Sequence, residues 1–140
     1  MTKHIAEITD EQFEKGIAAK VAIIEENEQL MFDPGKLETV LLNINKVYTE
    51  VGIDYGMLQA KFEYYKKMID IVIDRQPANL SPAQRKLTAY NELIAMNVEE
   101  GQINAYERYQ TSKMRFNRYK SMLEVLNTQI TIVSQLIHLN

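Results

Sequence analysis

The sequence contains no cysteine and no tryptophan, and only three prolines and five glycines occur among its 140 residues. Without cysteine, the chain has no disulfide framework and no thiolate for catalysis or metal binding. Proline and glycine are the residues that most often interrupt regular structure. Their scarcity and wide spacing therefore predict few secondary-structure elements, each of them long.

A long hydrophobic run is also lacking. No stretch approaches the roughly 18 apolar residues that a membrane-spanning helix requires, and residues 1–8 do not have the apolar run of a signal peptide. Apolar residues make up 46% of the chain and charged residues 25%, which suits a folded core with a solvated surface. We therefore expect a single-domain cytoplasmic protein that does not enter a membrane.

Residues that perform chemistry are scarce as well. The only histidines in the sequence are His4 and His138, one near each end. The chain has no Glu-x-x-His pair of the kind that holds two metals in helical bundles, and it has no glycine-rich phosphate loop. We therefore predict a non-enzymatic protein with no catalytic residue, no metal site, no cofactor and no small-molecule substrate.

Three helix-start signals divide the chain. Residues 9–12 read Thr-Asp-Glu-Gln, the form of a capping box. Asp33-Pro34 and Ser81-Pro82 each combine an N-cap residue with proline at the first helical position. The predicted helices are 10–31, 34–75 and 82–138, with candidate breaks at Gly52 and Gly101. Residues 1–32 would then hold the N-terminal helix, and residues 33–140 the rest.

The clearest pattern is a heptad repeat in the second predicted helix. From Leu37 to Val72, apolar or aromatic residues recur at alternating spacings of four and three. Such spacing is the signature of a coiled-coil seam, the line of side chains along which two helices pack. The positions are Leu37, Leu41, Ile44, Tyr48, Val51, Tyr55, Leu58, Phe62, Tyr65, Ile69 and Val72.

The same spacing returns near the C-terminus. Its positions are Ser112, Phe116, Tyr119, Leu123, Leu126, Ile130, Val133 and Ile137. Upstream apolar residues fit a heptad in another phase, so a stutter or a local break is expected near residues 97–101. Two long helices joined by the short turn at 76–81 must lie antiparallel. The fold class is therefore all-α, a long coiled-coil-like hairpin with a shorter N-terminal helix.

One short helix cannot cover all the apolar surface of such a hairpin, which predicts homo-oligomerisation through the seams. Charge is also unevenly spread along the chain. Residues 1–56 carry five Lys/Arg and eleven Asp/Glu, whereas residues 57–140 carry eleven and eight. An acidic N-terminal part and a basic C-terminal part indicate either that the basic part binds a polyanion or that the two parts pair with each other.

Basic residues and aromatic residues alternate in the segment 106–120. Lysine and arginine can neutralise phosphates, and aromatic faces can stack on unpaired bases. The candidate nucleic-acid-binding residues there are Arg108, Lys113, Arg115, Arg118 and Lys120. A smaller cluster adds Lys61, Lys66 and Lys67. In the alternative interpretation, Phe116 and Tyr119 are core residues, and the basic side chains flank the core and pair with acidic residues of the first helix.

The predicted hairpin also fixes where these clusters lie. A turn near residue 79 puts residue 66 roughly opposite residue 92, which offsets the two clusters. About 100° of rotation per residue places Arg108 and Arg115 on one flank of the Phe116/Tyr119 seam. The same rotation places Lys113 and Lys120 on the other flank.

Residues 58–65, Leu-Gln-Ala-Lys-Phe-Glu-Tyr-Tyr, form a Lys/aromatic helix segment that ends in paired tyrosines. A basic, tyrosine-rich helix leading into an apolar C-terminal helix follows it. In these features, and in its size and helical layout, the chain resembles the small helical recombination mediators of T4-type phages over residues 55–135. The resemblance implies an oligomeric protein that binds single-stranded DNA and helps to load a recombinase. The acidic balance and the extra N-terminal helix depart from the family.

Two functions are consistent with these patterns. In the first, the protein is an oligomeric recombination mediator that binds single-stranded DNA and a recombinase. In the second, it is a structural, assembly, adaptor or inhibitor protein that works through its helical surface alone. The heptads support both functions equally, whereas the interleaved basic and aromatic residues favour the first.

Overall fold

A computed structural model describes residues 4–96 and 104–139 of the chain. Over these residues the protein is all-α, as predicted, with no β-strand. Its elements are α1 (Asp10–Leu30), a 3-10 turn (Pro34–Lys36), α2 (Leu37–Asp74), α3 (Pro82–Ile94) and α4 (Ala105–Leu139). Within the described ranges, none of the helices is long and apolar enough to cross a membrane.

The predicted start signals operate at the N-termini of α1 and α3. The Thr9 hydroxyl accepts a hydrogen bond from the Gln12 amide at 3.1 Å, and the Gln12 side chain accepts one from the Thr9 amide at 3.0 Å. Ser81 and Gln84 form the same reciprocal pair at α3. Each box satisfies amide groups that would otherwise lack a partner in the first helical turn.

Asp33 caps a short 3-10 turn rather than the long helix itself. Its carboxylate accepts a hydrogen bond from the Gly35 amide at 3.0 Å, and α2 begins only at Leu37. From there α2 runs through Gly52 and Gly56 without a break. A Cβ atom on either glycine would meet nothing within 4 Å. Neither glycine therefore makes room for a neighbouring helix, and the break considered at Gly52 is absent.

The chain divides into two compact units. The first unit comprises Met1–Met57 and Arg118–Asn140, and the second comprises Leu58–Asn117. Helices α2 and α4 each contribute residues to both units. The predicted grouping of the chain into residues 1–32 and 33–140 stays a prediction.

In the first unit, α1 packs against α4. The rings of Phe13 and Tyr119 lie 5.7 Å apart between centroids, and both side chains are buried. Further along, Gln129 of α4 donates a hydrogen bond from Nε2 to the backbone oxygen of Ile24 at 3.1 Å. A buried side chain that bonds to a helix backbone fixes the position of one helix along the other, because an unpaired amide in the core is costly.

The buried stripe of α2 differs from the predicted seam in its first half. Val40 and Val47 are buried, whereas Leu41 is half-buried and Tyr48 is 37% exposed. Side chains of α1 and of this part of α2 line a common groove that includes Asn27 and Val47, so α1 borders this face of α2. A helix with two neighbours buries a wider and differently centred stripe than a two-helix seam.

The burial of Tyr119 changes its acidity. Burial of the phenol, reinforced by the Asp54 carboxylate, raises the pKa of Tyr119 from 10.0 to about 12. The unfolded chain therefore releases this proton at a lower pH than the folded chain does. The contribution of Tyr119 to stability is complete below pH 10 and is lost as the pH rises through about 12.

We expect the free energy of unfolding to fall by roughly 2–3 kcal/mol across this window. Urea titrations at about pH 9 and about pH 11.5 measure the change. The variant Tyr119→Phe has no proton to release there, so its loss of stability over the same window should be smaller. Equal losses in the two proteins would show that Tyr119 is not protected in the core.

In the second unit, α3 packs on the C-terminal end of α2. Ile69 and Val72 of α2 form a buried cluster with Ala89 and Leu93 of α3, and Ala105 at the start of α4 completes it. The described residues of the predicted region 82–138 form two helices, α3 and α4, one on each side of the candidate break at Gly101. The residues of the expected stutter, 97–101, lie outside the described ranges.

Helix α4, not α3, is the antiparallel partner of α2 in the second unit. Phe62 contacts Phe116 and Tyr109, while residues one to three turns further along α2 contact Ala105. Residues later in α2 thus contact residues earlier in α4. The expectation that residue 66 lies roughly opposite residue 92 stays a prediction.

Candidate nucleic-acid interface

Three aromatic rings stack on one another in the second unit. The centroid of the Phe62 ring lies 5.8 Å from that of Tyr109 and 5.1 Å from that of Phe116, at interplanar angles of 28° and 21°. All three side chains are half-buried, so part of each ring reaches the surface. We call these residues the Phe62 stack. Aromatic pairs of this kind contribute about 0.5–1.5 kcal/mol beyond their buried area, so the stack is a rigid feature.

Two exposed lysines flank the Phe62 stack. Lys66 follows Phe62 by four residues on α2, and Lys113 follows Tyr109 by four residues on α4. Four residues advance the side-chain direction by about 40° beyond a full turn. Because the two helices are antiparallel, a step of four residues along either helix rotates the side chain toward the same side of the helix pair. Lys66 and Lys113 therefore border the same side of the stack, and the two clusters are not offset as expected.

A second group of rings lies on α2 alone. Tyr64 is 58% exposed and meets the buried Tyr65 edge to face, with centroids 5.2 Å apart. The Lys61 ammonium lies 6.0 Å from the Tyr64 centroid and 5.7 Å from the Tyr65 centroid, within reach of a cation–π interaction. Lys67, one turn after Tyr64, is exposed. The exposed Tyr64 ring thus has a basic residue on each side along the helix.

Arg108 and Tyr65 influence each other in the second unit. Burial raises the pKa of the Tyr65 phenol, and the positive charge of Arg108 partly opposes that effect. The Arg108 side chain is half-buried. Only part of its guanidinium can therefore face a ligand, and we assign it a secondary role.

Arg115 is 2% exposed and belongs to the buried face of α4. The sequence pattern predicted that Arg115 lies beside the seam. In the structure, every second buried position of α4 lies one residue before the corresponding position of the predicted seam. The buried residues are Ser112, Arg115, Tyr119, Met122, Leu126, Gln129 and Val133. The buried stripe differs from the predicted one because two overlapping sets of positions on α4 both follow a spacing of four and three. Only packing against the neighbouring helices determines which set is buried. A guanidinium this deeply buried cannot reach a phosphate without a rearrangement of the core.

Arg118 and Lys120 belong to the first unit. Arg118 forms an ion pair with Glu14 of α1, and its guanidinium carbon lies 5.8 Å from the centroid of the Phe13 ring. Arg118 therefore holds α1 against α4, which is the role that the alternative interpretation predicted for the basic residues. Lys120 is exposed. The structure thus brings five of the eight candidates onto the accessible surface of the second unit, with Lys61 and Arg108 only partly so: Lys61, Lys66, Lys67, Arg108 and Lys113.

Charge follows the division into units. The second unit carries nine Lys/Arg and seven Asp/Glu in sequence, for a net charge of +2. The first unit carries seven and twelve, for a net charge of −5. A polyanion would therefore be attracted to the second unit and repelled by the first.

The rest of the described chain offers no metal site. It contains no group of three or more His, Asp or Glu side chains that could hold an ion. His4 accepts a hydrogen bond at Nδ1 from the Ala6 amide at 3.0 Å, which is a local turn contact. Comparisons of the chain with protein-family models, curated proteins and solved structures found no match. Function must therefore be argued from the site itself.

Proposed function

We propose that this protein binds single-stranded nucleic acid through the face of its second unit and performs no catalysis. The observation that carries the proposal is the Phe62 stack with Lys66 and Lys113 on one side of it. A stack of partly exposed rings between two cations offers both elements that single strands require, a surface for unpaired bases and charges for phosphates.

The arrangement favours single strands over duplexes. Unpaired bases have free faces that can stack on an accessible ring of the Phe62 stack, whereas a duplex hides those faces between neighbouring bases. The lysines recognise phosphate without regard to sequence. Since few cations are accessible on one chain, affinity should be modest and should fall with salt in proportion to the few phosphate contacts.

The proposal extends to a homo-oligomer that helps to load a recombinase. The resemblance of residues 58–65 and of the tyrosine-rich helix α4 to recombination mediators of T4-type phages supports this extension. Several weak faces in one assembly would also raise the overall affinity without any new contact. Most seam positions are buried within the chain, whereas others, such as Tyr48 and Phe62, are partly exposed, so only part of the predicted seam is left to join the copies.

A charge-matched pair of variants tests the face. The double variant Lys66→Ala/Lys113→Ala should bind a labelled single-stranded DNA oligomer more weakly than the wild type does. Its plot of log affinity against log salt should be shallower by about 1.4, since each lost phosphate contact removes about 0.7. Fluorescence anisotropy at several salt concentrations measures both quantities.

The control is Lys15→Ala/Lys36→Ala, which removes the same charge from exposed lysines of the first unit that pair with Glu11 and Asp33. It should retain the affinity and slope of the wild type. A third variant, Tyr109→Ala, removes one ring of the Phe62 stack and should lower affinity without changing the slope, because stacking involves no counterion release. Equal losses in the two lysine pairs would mean that net charge, not this face, determines binding.

A further inference from the structure

A groove between α1 and α4 in the first unit is not used by the proposed function. Its volume is about 420 Å³. The end of α1 lines it with Glu28 and Met31, and α4 lines it chiefly with Val125, Gln129 and Ile132. The groove is open along its length and lies on the acidic half of the molecule.

The floor of the groove is apolar and exposed. Val125 is 48% exposed and Ile132 is 43% exposed, although both are aliphatic. They lie seven residues apart on α4, so they face the same direction two turns from each other. Apolar positions two turns apart are the pattern with which one helix receives the apolar side chains of another.

The rim of the groove is acidic. Glu28 lines the groove from the last turn of α1, and it forms no ion pair with another described residue. Carboxylates at the C-terminus of a helix are destabilising, because they face the negative end of the helix dipole. On the opposite wall, α4 adds Glu124 and carries no lysine or arginine after Lys120. The charges are therefore uncompensated on both walls.

Gln129 supplies a separate observation at the same place. It is 5% exposed, lines the groove and donates from Nε2 to the backbone oxygen of Ile24. Its Oε1 has no hydrogen-bond partner among the described residues. A buried acceptor without a partner is costly, and a donor on an incoming side chain would relieve that cost.

We propose that this groove binds a basic amphipathic helix of a protein partner. Apolar side chains of that helix cover Val125 and Ile132, and its lysines or arginines neutralise Glu28 and Glu124. The acidic rim repels nucleic acid, so the groove and the face of the second unit serve different ligands. The inference does not depend on the proposed function, since it uses residues of the first unit alone.

The probe is a synthetic amphipathic helix of about 18 residues with leucine on one face and lysine on the other. Isothermal titration calorimetry should detect its binding to the full chain. A scrambled peptide of the same composition should bind at least about tenfold more weakly, because its apolar side chains no longer form one stripe. A peptide with glutamate in place of lysine should also bind about tenfold more weakly or not at all.

Two matched variants locate the site. Val125→Ser/Ile132→Ser removes the apolar floor and should weaken peptide binding by about tenfold or more. Leu42→Ser/Ile53→Ser is the control, since these side chains of α2 are 72% and 58% exposed in the same unit and line no part of the groove. It should leave binding unchanged. Circular dichroism establishes that both variants are folded.

Three outcomes would overturn the proposal. The first is the absence of peptide binding at concentrations up to about 1 mM, where even a weak complex forms. The second is an equal effect of the two double variants or equal binding of the three peptides. The third is a wild-type oligomer that dissociates in Val125→Ser/Ile132→Ser but not in the control, because the occupant would then be a second copy of the chain. Binding of single-stranded DNA by the same variants is a separate readout that should not change.

Discussion

Replacement of Leu126 by aspartate is expected to unfold the protein or leave it barely folded. Leu126 is 0% exposed and lies on the buried stripe of α4. An unpaired carboxylate at such a position costs several kcal/mol, in addition to the loss of the leucine side chain. Domains of this size are stable by only about 5–15 kcal/mol. Circular dichroism and urea titration should show a large loss of helix content or of stability.

The adjacent residue is a stringent control. Val125 lies one position earlier in the same helix and is 48% exposed. Val125→Asp introduces the same charge, but its carboxylate stays in water. It should cost no more than about 1 kcal/mol. A comparable loss in both variants would mean that α4 is not oriented as described.

Replacement of Phe13 by alanine is expected to cost about 3–5 kcal/mol, the usual effect of emptying a buried aromatic site. Phe13 is 1% exposed, packs on Tyr119 and lies beneath the Arg118 guanidinium. The variant therefore removes one ring contact and one cation–π contact together with the buried area. The midpoint of urea unfolding at neutral pH measures the loss.

Phe32 provides the matching control, because it is 86% exposed and undergoes the same chemical change. Phe32→Ala should alter the free energy of unfolding by less than about 0.5 kcal/mol. If Phe13→Ala were equally mild, α1 would be an appendage and not part of the core of the first unit. The ion pair of Arg118 with Glu14 of α1 would then contribute little to stability.

Local signals in the sequence predicted the elements well. The capping box at Thr9 and the Ser-Pro start at Ser81 act within a few residues, so their outcome does not depend on tertiary structure. The heptad spacing likewise identified α2 and α4 as amphipathic helices that pack along their length. Positions shared by both possible stripes, such as Leu126 and Val133, are buried as predicted.

Packing between helices determines which face of each helix is buried, and the sequence pattern alone did not predict this. The heptad pattern permits two overlapping stripes on one helix, and neighbouring helices decide whether Val47 or Tyr48 turns inward. The same ambiguity placed Arg115 on the surface in the prediction and in the core in the structure. The contact of α4 with α2 brings Phe116 beside Phe62, so the two basic clusters are not offset.

The candidate site shows the same limit. The sequence identified the lysines and the interleaved rings, but it could not show that Lys66 and Lys113 flank one stack, since that depends on the register of α2 against α4. The groove on the first unit left a weaker signal. Glu25, Glu26 and Glu28 are expected from the sequence to form a solvated helix end, and only the contact between α1 and α4 shows that Glu28 borders an apolar surface.

Direct binding to single-stranded DNA is the most decisive measurement. A labelled oligothymidine of about 20 nucleotides is titrated with the wild-type protein at roughly 50 mM salt, a condition that favours phosphate contacts. The account predicts a rise in anisotropy that exceeds the rise for a duplex of equal length and that disappears at several hundred mM salt. No binding at roughly 50 mM salt, or stronger binding to the duplex, would contradict it.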